Sequence, residues 1–301
     1  MHKLSDNMKG ALLMMCSMAA FTFNDTCIKL IGPEMPLFQL LFLRGAVTTV
    51  LIYAMARYLG GIRLSLPKGD WTLIAVRTAS EVGAAYFFIT ALMHMPIANV
   101  TAVLQVLPLT VTLGGALFFR EAVGWRRLLA IMIGFSGMLL IVRPGPEGFD
   151  VYALYAIGAV ACVTVRDLST RRMSPTVPSM TVTLAASVGV TLFAAIATQT
   201  ETWIPVTSRD ALLLGGASIF IIGGYFFSVA VMRVGEVGFI APFRYTSLIW
   251  ALVLGLLVFG DWPDNLTLLG AAIVVATGVF TLIRESQQRR RTAQARATVD
   301  N

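Results

Sequence analysis

The chain has 301 residues, 57% hydrophobic and only 13% charged, with a mean hydropathy of +0.78. Soluble domains carry about 25% charged residues, so the polar surface needed to cover a water-facing globule is missing. The net charge is +7, but Lys and Arg fall in short loops and the tail rather than in one patch, which argues against a nucleic-acid partner.

The hydrophobic residues come in blocks of about 20, the length that crosses a bilayer as a helix. Ten spans are predicted, at residues 9–31, 37–58, 71–93, 96–119, 125–142, 151–172, 178–199, 210–232, 237–259 and 265–284. The first block is too long for the apolar core of a signal peptide and lacks a small-residue cleavage site, so it reads as a retained helix. Pro33, Gly60-Gly61, Pro67, Pro96, Pro144-Gly145-Pro146, Pro175, Pro178 and Asp261-Trp262-Pro263-Asp264 punctuate the blocks as turn signals do. Short loops make sequential spans antiparallel neighbours. Cys16, Cys27 and Cys162 all lie inside apolar blocks, which gives neither a disulfide framework nor a metal site.

Cytoplasmic loops collect Lys and Arg. With the N-terminus inside, that face holds Lys3, Lys9, Arg57, Arg63, Lys68, Arg120, Arg126, Arg127, Arg171, Arg172, Arg233, Arg284, Arg289, Arg290, Arg291 and Arg296. The opposite face keeps Arg143 and Arg209, with Lys29 near that end of span 1. Both termini are therefore expected in the cytoplasm, and the chain in the bacterial inner membrane.

The sequence also repeats itself. Tyr86-Phe87-Phe88-Ile89-Thr90-Ala91-Leu92-Met93 of span 3 matches Tyr225-Phe226-Phe227-Ser228-Val229-Ala230-Val231-Met232 of span 8. Thr22, Asp25 and Lys29 correspond to Thr164, Asp167 and Arg171, and Phe119-Arg120-Glu121 to Phe259-Gly260-Asp261. Because five spans per copy is odd, the second copy enters from the other side, an inverted-repeat plan that puts a substrate site near the midplane. The expected division is a first five-helix repeat at 1–147, a second, inverted one at 148–285 and a basic cytoplasmic tail at 286–301, with Pro144-Gly145-Pro146 as the joint.

Arg44, Arg77, Glu81 and Arg244 sit well inside spans 2, 3 and 9. Such charges cost roughly 2.5–3.5 kcal/mol each on insertion scales, so each should face a partner or a wet cavity. Arg77 and Glu81, four residues apart, share a helix face. They form either a structural ion pair or a site where Glu81 binds a coupled proton or cationic group with Arg77 tuning it. Arg244 and Tyr245 follow Pro242, which removes a backbone donor and can open a carbonyl toward a cavity; the alternative is a kink with Arg244 snorkelling out. Arg44 either anchors an anionic group or snorkels. Asp25 with Lys29, and Asp167 with Arg171, are either local helix-end pairs or two symmetric gates, with Asn24 and Arg166 beside them. Tyr86, Tyr225, Tyr245 and Trp250 supply aromatic faces that either pack or clamp a flat ligand. Asn99 and Gln105 of span 4 are polar positions suited to lining the same cavity.

Enzyme readings are weak. Gly134-Phe135-Ser136-Gly137 resembles the GxSG of intramembrane serine proteases, but their histidine base lies on a later helix, and His2 and His94 both precede Ser136. There is no HExxH, nucleotide-binding loop or metal cluster. No cofactor is expected, and ATP coupling within the chain is excluded.

The run Ala91-Leu92 through Pro96-Ile97-Ala98-Asn99, Pro108 followed by Glu121, and Ala241-Pro242-Phe243-Arg244-Tyr245 followed by Gly260-Asp261-Trp262-Pro263-Asp264 resemble the EamA branch of the drug/metabolite transporter superfamily. The resemblance covers nearly the whole chain, with Asp261 where many members have Glu. It implies an all-α fold of ten transmembrane helices and alternating-access transport of a small-molecule substrate, with room for a coupled ion and a homodimer. Within that branch the chain is most similar to bacterial riboflavin or S-adenosylmethionine uptake carriers. Riboflavin is the first expectation; S-adenosylmethionine import, or export of an amino acid, amine or drug, is the alternative.

Overall fold

The computed structural model describes residues 6–59, 62, 65–120, 124–143, 150–231, 234 and 237–299. The Pro144-Gly145-Pro146 joint, Gly60-Gly61, His2, Lys3, Arg63, Glu121, Met232 and Arg233 lie outside the described residues, as do the side chains of Arg289, Arg290, Arg291 and Arg296. All described secondary structure is helical, and ten segments are long and apolar enough to cross a membrane.

Eight of these are single helices, seven of them α1 (Asp6–Ile31), α2 (Leu37–Leu59), α3 (Lys68–His94), then α6 (Trp125–Val142), α7 (Val151–Arg172), α8 (Ser179–Ala197) and α9 (Ser208–Val231). Between α3 and α6 the fourth span is α4 (Ile97–Leu104) followed by α5 (Leu107–Phe119). Pro108 has no N–H to offer the Leu104 carbonyl and its ring crowds that oxygen, which places the break between the two pieces. The ninth span follows a short α10 (Val237–Ile240) and opens with a 3₁₀ turn, Ala241–Tyr245, around Pro242. It continues as α11 (Thr246–Leu254) and ends in a π-helical turn, Gly255–Phe259, closed by left-handed Gly260 with φ 70°. Last comes α12 (Asn265–Val299), which continues well past the predicted membrane boundary at 284. The sequence reading placed these spans within a few residues, but gave spans 4 and 9 as continuous.

The chain divides into two compact units that do not coincide with its two halves. The first comprises Met1–Thr22, Thr101–Phe149 and Gly223–Asn301; the second comprises Phe23–Val100 and Asp150–Ile222. Each draws residues from both sequence copies, because helices of one copy pack on helices of the other.

In the second unit α3 packs on α7 and α2 on α8. Thr49 Oγ1 meets Ser187 Oγ at 2.8 Å and Thr191 Oγ1 at 3.1 Å, and a carbon added at Gly45 would lie 2.6 Å from Thr191 Oγ1. Gly45 thus faces Thr191 where Thr49 faces Ser187, so α2 and α8 run antiparallel. Residues 45 and 187, like 49 and 191, are 142 apart, the same offset that relates Thr22, Asp25 and Lys29 to Thr164, Asp167 and Arg171.

In the first unit α6 packs on α12 through small residues: a methyl at Gly137 would come within 2.9 Å of the Gly270 carbonyl oxygen. There the two broken spans are joined. Buried Gln105 donates from Nε2 to the Tyr245 carbonyl and to Ser247 Oγ, both at 3.2 Å. Ser247 lies 142 residues beyond Gln105. Tyr245 in turn lies against Gly278 of α12, where a side-chain carbon would collide with its hydroxyl.

Candidate functional site

Helix α3 is 27 residues long and Glu81 is its middle residue, about 20 Å from either end. A carboxylate at that depth requires compensation. It is supplied by α3 itself and by α7. Arg77 Nη1 stands 3.9 Å from Glu81 Oε2, and Arg166 Nη1 of α7 stands 3.4 Å from Glu81 Oε1. Arg166 also gives Nε to Asp167 Oδ1 at 2.9 Å, and Arg77 gives Nε to Thr170 Oγ1 at 2.9 Å. Two guanidinium groups and two carboxylates thus form a net-neutral cluster across the α3–α7 contact. Side-chain exposure rises from 16% at Arg77 and 21% at Glu81 to 27% at Arg166 and 33% at Asp167, so the cluster is more open on its α7 side.

Further along the same contact, aromatic rings replace charge. Tyr86 stacks near-parallel on Phe38 of α2, with centroids 6.0 Å apart, and lies 6.1 Å from Tyr155 of α7. Phe87 sits edge-on to both tyrosines, over Gly158, where a methyl would lie 3.2 Å from its ring. Tyr152 extends the array from Tyr155 to His94, with which it stacks at 3.9 Å.

Other sequence-predicted polar residues of the second unit lie on α1, α2, α4 and α7. Asn24 Nδ2 donates to Asp25 Oδ1 at 2.8 Å, and Arg44 lies half-buried on α2. Lys29 Nζ reaches the end of α3, donating to the Leu92 and Met95 carbonyls at 3.1 and 2.6 Å. This is the favourable placement of a cation at carbonyls that lack helical partners. Asn99 Oδ1 is buried with no hydrogen bond among the described residues. Arg171 is exposed at the last turn of α7.

The sequence-predicted residues divide between the units. Glu81, Arg77, Tyr86, Arg44, Asn99, Asp25, Lys29, Asp167 and Arg171 belong to the second; Gln105, Tyr225, Arg244, Tyr245 and Trp250 belong to the first. There, Tyr225 packs edge-on to Phe21, and Ser17 Oγ donates to the Gly224 carbonyl at 2.9 Å. Tyr245 is buried and its hydroxyl makes no hydrogen bond among the described residues; Arg244 and Trp250 are half-buried. Sequence reasoning named Arg166 only as a neighbour of Asp167, and passed over Phe38, Tyr152 and Tyr155. The available signal for Arg166 was an arginine inside an apolar block, the same signal that singled out Arg77. Among the described residues no group of three or more His, Cys, Asp or Glu side chains is placed to hold a metal.

A ten-span helical chain with an ion cluster and an aromatic array buried among its helices is a multi-pass membrane protein. Its sequence matches the EamA-like transporter family over residues 8–143 and again over 151–283, and the chain belongs to that family. It is 27% identical over 288 residues to a riboflavin transporter of Vibrio cholerae, covering 94% of this chain and 96% of that protein. It is 22% identical over 298 residues to an S-adenosylmethionine uptake transporter of Rickettsia conorii (96% and 97% covered). A pseudopaline exporter of Pseudomonas aeruginosa is 27% identical over 285 residues (90% and 95% covered). One solved structure superimposes with a TM-score of 0.64 at 17% identity, over 93% of this chain and 98% of that one, which speaks for the fold alone.

Proposed function

We propose that the chain is a secondary-active carrier that moves a small, ring-containing metabolite across the bacterial inner membrane by alternating access. The observation that carries this reading is Glu81 at the middle of α3, held between Arg77 and Arg166 beside the Tyr86–Tyr155 array. Ionisable groups at that depth mark substrate or ion pathways, and aromatic faces suit a planar ligand. The chain is read as two inverted five-helix repeats, with both termini cytoplasmic. The antiparallel, offset-matched contacts of α2 with α8 and of Gln105 with Ser247 support a two-fold relation between the copies. Alternating access needs no nucleotide, and Glu81 takes part in binding or coupling. Asp25 and Lys29, and Asp167 and Arg171, serve as gates.

Riboflavin is the first compound to test, since the Vibrio relative bears that name. Expression in a riboflavin-auxotrophic bacterium lacking its own carrier should restore growth at low external vitamin. Failure to rescue despite correct insertion removes riboflavin and turns attention to labelled S-adenosylmethionine. Export is the second reading, motivated by the Pseudomonas relative, and efflux from preloaded cells distinguishes it.

A further inference from the structure

Three spans of the first unit end at one membrane surface. The fourth stops at Phe119, the fifth starts at Trp125 and the tenth stops at Arg284. A carbon added at Gly134 of α6 would lie 2.8 Å from Thr277 Oγ1 of α12, and one at Gly137 would lie 2.9 Å from the Gly270 oxygen, so these helices run antiparallel. About two turns back from Gly134 comes Arg126, and two turns on from Thr277, on the same face of α12, comes Arg284. Helix α5 packs on both and is capped by Arg120. The side chains of Arg120, Arg126 and Arg284 make no ion pair or hydrogen bond with any described residue. Arg126 lies over the Trp125 ring at 5.3 Å and Arg284 over the Phe280 ring at 5.9 Å, contacts that hold a cation but take no hydrogen bond from it. Arg126 also stands in the first turn of α6, where the helix dipole disfavours positive charge. Arg120 carries a further cost, because its backbone is left-handed, with φ 54°. Its counterpart in the second copy is Gly260, which takes the same conformation freely. Among the described non-glycine residues one other has a positive φ, Arg143, and its side chain pairs with Asp264 at the opposite end of the α6–α12 contact. One end of this helix pair therefore holds a neutralised arginine and the other holds three without a partner.

We propose that Arg120, Arg126 and Arg284 bind the phosphate of an anionic phospholipid, whose acyl chains lie along the apolar outer faces of α5 and α6. Charge complementarity selects this occupant: three cations without a described carboxylate partner stand where spans meet headgroups, the placement that attracts anionic lipid. Guanidinium groups suit it further, because their planar forks match phosphate oxygens. Trp125, 70% exposed, belongs at the headgroup level as an amphipathic ring. Phe118 and Leu129, also exposed, continue the apolar surface into the bilayer. A zwitterionic lipid offers the same phosphate, but its own ammonium cancels the charge that three arginines require.

The test is a titration of the purified full-length protein in detergent, followed by its thermal unfolding midpoint. The additions are phosphatidylglycerol, phosphatidylcholine with the same acyl chains, and inorganic phosphate. The expected result is a rise with phosphatidylglycerol alone. Arg126→Gln and Arg284→Gln should each raise the half-saturating lipid concentration about fivefold, the weight of one basic residue at an anionic membrane surface. Arg120→Gly should do the same while unfolding, without lipid, at the same or a higher temperature, since it relieves the left-handed backbone; lost binding is thereby separated from lost folding. Arg57→Gln, at the end of α2 in the second unit, should leave the titration unchanged. If a Gln variant does not fold, Arg120→Gly and the lipid series on the unaltered protein decide. No rise with any lipid, or equal rises with phosphatidylglycerol and phosphatidylcholine, overturns the inference. So does a phosphatidylglycerol response that Arg120→Gly keeps in full or that Arg57→Gln weakens as much. An equal rise with inorganic phosphate overturns it too, in favour of a small-anion site.

Discussion

The two compact units handle polar groups inside the membrane in opposite ways. In the second, polarity is carried by ionised side chains on unbroken helices: Glu81, Arg77, Arg166 and Asp167 bridge α3 and α7. In the first, apart from half-buried Arg244, it is carried by backbone released where Pro108 and Pro242 interrupt spans 4 and 9, and by neutral groups that meet there, Gln105 with the Tyr245 carbonyl and Ser247. Its ion pairs Lys9–Asp6 and Arg143–Asp264 lie at exposed helix ends. Charge on intact helices can recognise a solute's charged groups, whereas a break gives a place to bend. Glu81 and Arg77 of α3 have no charged counterparts in the apolar stretch of α9, Ala211–Val231.

The sharpest way to break this contrast is to delete charge from the cluster. Glu81→Ala leaves Arg77 and Arg166 facing each other without their carboxylate, and should cost about 3–5 kcal/mol, as removing one partner of a buried pair does. The check is thermal unfolding in detergent; Glu81→Gln should be milder, and an unchanged midpoint would mean water already solvates the cluster. In the broken-span unit, Gly278→Ala forces Tyr245 aside and should cost about 1–3 kcal/mol by overpacking. Gly215 meets nothing within 4 Å of an added carbon, so Gly215→Ala should be neutral or stabilise by up to about 1 kcal/mol. Gln105→Leu, which removes the bond between the breaks, should cost about 0.6–1.7 kcal/mol.

A further effect concerns pH. Asp264 accepts from the Thr267 backbone N–H at 2.9 Å at the start of α12 and pairs with Arg143, which holds its carboxyl below the usual carboxylate range despite a smaller opposing effect of burial. A lowered folded pKa gives stability that is present above the unfolded value, about 3.9, and is lost as pH falls through the folded one. Asp264→Ala should therefore destabilise by about 0.5–2 kcal/mol at neutral pH, the range for losing a helix cap. The difference from the unaltered protein should shrink below about pH 4. A difference that stays constant with pH would assign the loss to packing instead.

Much of this architecture is written in the sequence because a bilayer makes it so. A span needs about 20 apolar residues whatever surrounds it, and Pro33, Pro96 and Pro178 mark ends that the helices respect. The breaks at Gln105 and Tyr245 are half legible: Pro108 and Pro242 each remove a backbone donor within a span, but the 3₁₀ turn and the Gln105–Tyr245 bond depend on a contact between distant spans. The same holds for the site. Arg77 and Glu81 could be paired from their spacing, since one helix places both. Arg166 could not be assigned to Glu81, because that distance is fixed by how α3 packs on α7, which no local pattern records. The tyrosines of α7 escaped notice for the same reason: Tyr152 and Tyr155 gain meaning only opposite His94 and Tyr86.

The central claim is that solute moves by carrier cycling that depends on the α3–α7 cluster. Counterflow in nucleotide-free proteoliposomes tests it most directly, with labelled riboflavin or S-adenosylmethionine outside and the same unlabelled compound inside. The account predicts transient accumulation of label with the unaltered protein and with Gly215→Ala, and its loss or strong reduction with Glu81→Gln at equal amounts of folded protein. Ion conductance at channel-like rates, or counterflow that Glu81→Gln leaves untouched, would contradict it.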